Sequence, residues 1–314
     1  MTAAWLSAIL LLAARPEHQM NEPLIAALDR ALKGDAQVLQ GLGIEEAVIT
    51  SPLWDDRLAF DGRGQVTFTS KRAPGDRGGA SIGLFGGKVA KDEMKALLTA
   101  LRQLAAAPPP PVRGEAYETR ILLTVLADGH EWVLATTATP PAMEPLQPVL
   151  SICGRAQAEA MEKPVRSLAV TLEVAGPLSG KGPLPLVLHL KNAGEEGAWV
   201  SNPLRVSNEK EHERAELVYA RPLVFTPGVT PVPAPPRRTL LLPRAPVAED
   251  EPRYRWVPPK GEIAVPVQAV IEAGSARELV LRAALFLDEG AEQVAGQPRL
   301  RGSVFSADVT VPVQ

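Results

Sequence analysis

From residue 165 to the C-terminus, the sequence consists of short runs in which apolar and polar residues alternate. Alternation of this kind places the apolar side chains on one face of a β-strand. Seven such runs occur, separated by glycine, proline and asparagine: SLAVTLEVA, LPLVLHLKN, ELVYARPLVF, RTLLLP, EIAVPVQAVI, ELVLRAALFL and SVFSADVTVPV. No run has a helical spacing. Many short strands in one stretch predict an all-β sandwich of two antiparallel sheets over residues 165–314.

The N-terminal half has a mixed pattern in which a hairpin is twice followed by a helix. The first hairpin turns at Asp61-Gly62-Arg63-Gly64, and a helix with one apolar stripe follows from about 91 to 104. The second turns at Asp128-Gly129, and its helix runs from about 146 to 161. A further helix is predicted over 21–34, and a glycine-rich loop over 75–87. Residues 17–164 are therefore predicted to form an α+β domain with an antiparallel sheet.

The apolar run from Ala3 to Ala14 leaves two interpretations open. It reads AAWLSAILLLAA and ends at Arg15-Pro16, which suits the apolar core of a secretory signal peptide within residues 1–16. The alternative is an apolar first helix that stays attached. The first interpretation predicts a periplasmic or secreted protein and the second a cytoplasmic one. No apolar run reaches the ~20 residues of a membrane-spanning helix, so no span is expected.

Composition excludes several classes of site. The chain has 33 Lys+Arg and 36 Asp+Glu, a formal net charge of −3. A broad basic face for nucleic acid is therefore not expected. The single cysteine, Cys153, excludes an internal disulfide and a multi-cysteine metal site. Because Cys153 lies on the apolar face of a predicted helix, we expect a buried, unreactive thiol.

The segment GGASIGLFGGK, residues 78–88, superficially matches a phosphate-binding loop. That motif needs a glycine five residues before its Gly-Lys pair and a serine or threonine after it. Ile82 and Val89 occupy those two positions. No nucleotide cofactor is expected, and the segment is interpreted as a loop between a hairpin and a helix.

Three ionisable residues, Asp128, His130 and Glu131, surround the second hairpin turn. A carboxylate beside an imidazole could act in general acid–base catalysis, as in a hydrolase. An Asp-Gly pair is also what a tight hairpin turn requires, and this interpretation is preferred. Leu134 stands where a zinc HExxH motif would have its second histidine, so no metal site is predicted there.

Other polar residues favour structural roles. Asp55, Asp56 and Asp61, near Trp54, could suggest a cation site, but three carboxylates around an apolar strand are more typical of an exposed hairpin rim. His189 lies among leucines and is interpreted as a partly buried strand residue rather than a ligand.

A proline-rich segment, TPGVTPVPAPPRR, contains a motif of the kind that peptide-binding domains recognise. Pro233, Pro236 and Arg238 match the PxxPxR form that peptide-binding domains accept as a polyproline helix. A stiff extended loop between two strands accounts for the same residues.

Two resemblances extend these predictions. The segments LVLHLKNAG (186–194), WVPPKGE (256–262) and GSVFS (302–306) resemble the immunoglobulin-like domains of bacterial envelope proteins, without the cysteine pair of antibody domains. The segments DGRGQVTFT, KDEMKALLTALRQL and RILLTVLADGHEWVLATT are similar to small uncharacterised exported bacterial domains. These resemblances imply a sandwich in the second half and export, and they assign no functional residue.

The leading expectation for function is a non-catalytic protein-binding or scaffolding component of the bacterial envelope. It follows from the scarcity of catalytic groups and from a recognition-type sandwich, which is an argument from fold. One alternative is a hydrolase that uses Asp128, His130 and Glu131 or the aspartates near Trp54. The other is a cytosolic regulatory protein that acts on a partner.

Overall fold

The computed structural model describes residues 22–48, 56–71, 80–106, 119–137, 147–179, 182–205, 213–222, 235–287 and 293–314. Strands dominate this part of the chain, and three helices accompany them. The helices are α1 (Glu22–Leu32), α2 (Lys91–Ala106) and α3 (Gln147–Met161). The prediction of a β-rich fold with antiparallel sheets and these helices is confirmed. The run Ala3–Ala14 lies outside the described residues.

The strands of the first two thirds of the chain include both predicted hairpins. They are β1 (Leu39–Val48), β2 (Asp56–Phe60), β3 (Gln65–Ser70), β4 (Ile82–Lys88), β5 (Thr119–Ala127), β6 (His130–Thr137), β7 (Pro164–Val174), β8 (Pro183–Lys191), β9 (Ala198–Ser201) and β10 (Glu213–Ala220).

The remaining strands are shorter on average. They are β11 (Arg237–Leu240), β12 (Leu242–Pro243), β13 (Tyr254–Val257), β14 (Glu262–Val270), β15 (Glu278–Leu287), β16 (Gln293–Val294), β17 (Gln297–Pro298), β18 (Ser303–Phe305) and β19 (Val309–Pro312). Each of the seven runs predicted in the second half overlaps at least one strand.

The chain divides into two compact units. Of the described residues, the first unit contains 22–48, 57–67, 87–106, 119–137 and 147–159, and the second contains 56, 68–71, 80–86 and the described residues from 160 onward. The sequence analysis predicts an α+β domain over residues 17–164. In the structure, strand β4 pairs antiparallel with β7, and the described residues 68–71 and 80–86 belong to the second unit.

The glycine-rich segment is the clearest departure from the sequence prediction. Its described part was expected to be a loop, but Ile82–Lys88 forms strand β4. Gly83 lies opposite Ser167 with a φ of 144°, and a Cβ there would come within 2.2 Å of the Arg166 carbonyl oxygen. Glycine is therefore required for the close approach of two backbones, which short-range patterns cannot indicate.

In the first unit, helices α1 and α2 pack together and β1, β5 and β6 form an antiparallel array. The apolar stripe predicted for α2 is buried, with Leu97 and Leu101 fully enclosed. Asp29 of α1 accepts hydrogen bonds from the Arg102 guanidinium of α2. Cys153 of α3 is buried as predicted, and this burial raises the pKa of its thiol to about 12.

In the second unit, two antiparallel sheets enclose one hydrophobic core. One sheet has the strand order β12-β14-β8-β7-β4, and the other has β11-β10-β15-β18 with β19 also paired to β15. Alternate residues point inward, so Leu186, Leu188 and Leu190 of β8 share the core with Leu281 and Leu285 of β15. This is the pattern of alternation seen in the sequence.

His189 lies on the face of β8 opposite its buried leucines and joins three strands. One ring nitrogen, Nε2, lies 2.8 Å from Oε2 of Glu173 on β7, and Nδ1 bonds to Oε1 of Glu262 on β14. Lys191 Nζ lies 3.2 Å from the other Glu262 oxygen. The bond to Glu173 is the main cause that raises the pKa of His189. We call these four residues the His189 ladder.

The His189 ladder makes stability depend on pH. The pKa of His189 is higher in the folded protein than the value of about 6.5 in the unfolded chain. Protonated His189 therefore stabilises the folded protein fully below pH ~6.5, and this stabilisation is lost as the pH rises through the folded-state pKa. We expect His189→Gln to lower the free energy of unfolding at pH 6 by about 0.5–1 kcal/mol. At pH 9 the difference should be much smaller. Urea unfolding at both pH values measures it.

The control for this experiment is His130→Gln, which alters an exposed hairpin histidine in contact with the Trp132 ring. It should produce no comparable difference between the two pH values. If His189→Gln lowers the free energy of unfolding equally at pH 6 and pH 9, His189 is not held protonated by its glutamates.

The pairing of β4 with β7 predicts a second stability effect. In Gly83→Ala the new Cβ would collide with the backbone of Arg166 and Ser167, so we expect a loss of about 3 kcal/mol in urea unfolding. Gly182 also has a positive φ, 101°, but nothing lies within 4 Å of a Cβ there. Gly182→Ala should therefore cost only about 1 kcal/mol. Equal losses would mean that the close approach at Gly83 is absent.

Candidate functional site

The second unit contains a pocket of about 450 Å³ beside strands β9 and β13. This volume is within the range of small-ligand sites. A cation, an anion, an amide and an indole all contribute to its lining, together with a glycine and a proline: Arg166, Glu196, Gly197, Trp256, Gln297 and Pro298. We call this site the Trp256 pocket.

A two-stranded ribbon carries the aromatic side of the pocket. Strands β9 and β13 pair antiparallel with Trp199 opposite Trp256. Val200 and Val257 point into the hydrophobic core and are fully buried. Because side chains alternate along a strand, Trp199 and Trp256 lie together on the other face. Their ring centroids are 5.3 Å apart with an interplanar angle of 58°.

Gly197 sets the position of the Trp256 indole. A Cβ at residue 197 would lie 1.9 Å from Cζ2 of Trp256, so the ring occupies the space that any side chain would need. The ring is thus held by a backbone below and by Trp199 beside it. Trp256 nevertheless keeps 36% of its surface exposed. A large apolar ring is therefore presented to solvent in a fixed orientation.

A buried amide, that of Asn192, ties together the segments that line the pocket. Its Oδ1 accepts the backbone N–H groups of Ser167 and Gly194, both at 2.9 Å. Its Nδ2 donates to the carbonyl oxygens of Glu196 at 2.7 Å and Pro258 at 3.2 Å. The amide thus joins the start of β7, the loop before β9 and the turn after β13.

Arg166 and Glu196 face each other without forming a close ion pair. Arg166 Nη2 lies 3.5 Å from Glu196 Oε2, longer than the 2.7–2.9 Å typical of a charge-assisted hydrogen bond. The Arg166 side chain is 17% exposed and that of Glu196 is 59% exposed. Within the Arg166 side chain, the Nε atom is buried, and its N–H donates to no acceptor. The guanidinium therefore has an unused donor, and Arg166 is one of the residues that line the pocket.

The three residues proposed for acid–base chemistry remain on their hairpin turn. Asp128 and Gly129 have φ angles of 51° and 73°, as a tight hairpin turn requires, and the Asp128 carboxylate pairs with Arg30. His130 and Glu131 are exposed. None of the three lines the Trp256 pocket.

The aspartates near Trp54 are only partly described. Oδ1 of Asp61 accepts the backbone N–H groups of Arg63 at 2.9 Å and Gln65 at 2.8 Å, which stabilises the first hairpin turn. Trp54, Asp55 and the Asp56 side chain lie outside the described residues. In the part of the chain that the structure describes, no group of three His, Cys, Asp or Glu side chains is arranged to hold a metal ion.

The proline-rich motif is likewise only partly described. Pro233 lies outside the described residues, Pro236 is exposed, and Arg238 belongs to strand β11. Arg238 Nη1 lies 3.6 Å from Glu216 Oε2.

Among the described helices, none combines the length and apolar character needed to cross a bilayer.

Sequence reasoning did not identify the Trp256 pocket. In the sequence, the segments that contain Asn192-Ala-Gly194 and Trp256-Val-Pro-Pro carry only the resemblance to immunoglobulin-like domains. Strands β9 and β13 have four residues each, too few to show alternation. The only available signal was a pair of tryptophans, Trp199 and Trp256, outside the seven apolar runs.

Comparisons with known proteins add no functional assignment. No family model matches the chain, and no curated protein is a significant match. One solved structure is described as "AvmM Catalyzes Macrocyclization in Alchivemycin A Biosynthesis". It is 12% identical to this chain, and the alignment covers 46% of this chain and 88% of that one with a TM-score of 0.22. A TM-score this low supports no inference about fold or activity.

The hydrogen bonds of Asn192 predict that the pocket walls depend on this residue. Asn192→Ala leaves buried N–H and carbonyl groups without partners, so we expect unfolding to require about 3 kcal/mol less free energy. The matched control is Glu195→Ala in the same loop, which removes only an exposed pair with Lys260 and should cost less than about 1 kcal/mol. Urea unfolding measures both, and similar losses would contradict the role of the amide.

Proposed function

We propose that this protein is a non-catalytic component that binds a protein partner through the Trp256 pocket. The observation that carries the proposal is the partly exposed Trp256 indole, fixed by Gly197 and Trp199 beside charged side chains. Tryptophan and arginine are the residues that most often dominate binding energy at protein interfaces. A ring that is already immobilised loses little conformational entropy when it binds.

The placement of the acid–base candidates supports binding rather than hydrolysis. Catalysis needs a base, a nucleophile and a stabilising group that converge on one reacting atom. Asp128, His130 and Glu131 instead occupy an exposed turn. His189 has both ring nitrogens bonded to glutamates, so neither is available to take a proton from a substrate.

The proposal also includes a fold family and a cellular location. We assign the second unit to the immunoglobulin-like sandwiches, supported by its two antiparallel sheets around one core. We also place the protein in the bacterial envelope, with residues 1–16 acting as a signal peptide, on the strength of the apolar run from Ala3 to Ala14.

The test is affinity capture from the native host with three C-terminally tagged forms: wild type, Trp256→Ala and Trp132→Ala. Trp132 is a half-buried tryptophan of β6 in the first unit and serves as the matched control. Loss of an aromatic anchor costs about 2 kcal/mol or more, so we expect Trp256→Ala to reduce capture of a stoichiometric partner about thirtyfold. Trp132→Ala should capture it normally.

Two results would contradict the proposal. One is an identical set of captured proteins from wild type and Trp256→Ala, which would remove the pocket from the interface. The other is a purified protein that turns over a defined substrate and loses this activity on substitution of His130. The N-terminal peptide of the captured bait tests export separately, because a bait that begins at Met1 or Thr2 has kept its apolar run.

A further inference from the structure

The unused hydrogen-bonding capacity of Arg166 indicates what the Trp256 pocket accepts. An unpaired buried N–H is unfavourable, and Arg166 Nε is such a group. In a guanidinium, Nε and Nη2 lie on one edge that fits both oxygens of a carboxylate. The Glu196 carboxylate approaches Nη2 at 3.5 Å, and Nε donates to no acceptor.

Two other glutamates of the second unit already pair with other cations. Glu195 pairs with Lys260 at 2.8 Å, and Glu251 pairs with Arg255. The Glu196 side chain is 59% exposed, so it can turn away into water at little cost. Among the residues that line the pocket, Arg166 is therefore the cation with which the carboxylate of a ligand can form an ion pair.

The remaining walls favour a peptide over a sugar. The Trp256 indole and Pro298 are both apolar parts of the lining. A neutral sugar offers the Arg166 guanidinium only hydroxyl acceptors, whereas a peptide carboxylate gives it charge-assisted hydrogen bonds. A proline or aliphatic side chain of the same peptide can pack against the indole face. The Gln297 amide adds one further polar group.

We propose that the Trp256 pocket binds an extended peptide segment in which a carboxylate lies next to a proline or aliphatic side chain. The carboxylate pairs with Arg166 in place of Glu196, and the apolar side chain packs on Trp256. The carboxylate comes from an Asp or Glu side chain or from a peptide C-terminus, which present the same chemistry. This inference rests on the proposed function, because it names the partner feature that the same pocket recognises.

The experiment titrates synthetic peptides into full-length protein labelled with ¹⁵N-tryptophan, and it follows the Trp256 indole N–H signal, assigned with Trp256→Phe. The first peptide is acetylated and amidated and carries one aspartate between two prolines. The second has asparagine in place of aspartate. The third has no acidic side chain but ends in a free carboxylate. A neutral oligosaccharide, maltotetraose, is the fourth probe.

We expect the aspartate peptide to bind at least about tenfold more tightly than the asparagine peptide, as a charge-assisted hydrogen bond provides. If a C-terminal carboxylate is the natural ligand, the third peptide will bind more tightly than the first. In Arg166→Gln the preference for a carboxylate should disappear. In Arg282→Gln, which alters an arginine paired with Asp308 in the same unit, it should remain.

Arg166→Lys keeps the positive charge without the two-pronged edge, and should retain only part of the preference. This variant keeps the inference testable if Arg166→Gln does not fold, as judged by the Trp199 indole signal. Equal affinity for the aspartate and asparagine peptides would overturn the inference. So would a response of Trp256 to the oligosaccharide and not to any peptide. Neither result bears on the capture experiment, which uses no synthetic ligand and decides the proposed function separately.

Discussion

The side-chain amide of Asn192 is the interaction on which the functional end of the second unit depends. It is 2% exposed, and it bonds to three separate segments of backbone. A buried amide of this kind is stabilising only when its donors and acceptors are satisfied together. Its geometry therefore specifies one arrangement of these segments, and Arg166, Glu196 and Trp256 take their positions from that arrangement.

Close backbone packing reinforces the same arrangement. A Cβ at Gly194 would lie 2.4 Å from the Val165 carbonyl oxygen, and one at Gly197 would enter the Trp256 ring. Glycine allows the loop between β8 and β9 to lie directly against β7 and the indole. The pocket is thus built on backbone contacts rather than on adaptable side chains, which is the kind of support that a preorganised binding site needs.

The proposed binding role combines a rigid aromatic anchor with a cation that has unused hydrogen-bonding capacity. The anchor supplies apolar contact area, and Arg166 supplies selectivity for charge. The His189 ladder has the opposite character, because its histidine and glutamates satisfy one another across three strands. Satisfied ionic groups contribute to stability and register, whereas incompletely satisfied ones are available to a partner.

The predictions that held rest on local chemistry. The apolar stripe of α2 predicted a buried helix face, Asp128-Gly129 predicted a hairpin turn, and the runs around Leu186 and Leu281 predicted core strands. Each depends on residues a few positions apart, where helical or strand periodicity determines which side chains share a face. The burial of Cys153 follows from the same reasoning.

The sequence by itself determined the strand-rich second half, the helices and the turns, because these depend on periodicity and on backbone preferences of neighbouring residues. Only the tertiary structure decided that β4 pairs with β7, that Trp199 lies against Trp256, and that Asn192 reaches Pro258. These contacts join residues far apart in the chain, and β9 and β13 are too short to show a pattern of their own. Val200 and Val257 of these strands are buried in the core that the two sheets enclose. The pairing therefore depends on residues from many parts of the chain, and no short segment of sequence contains them all.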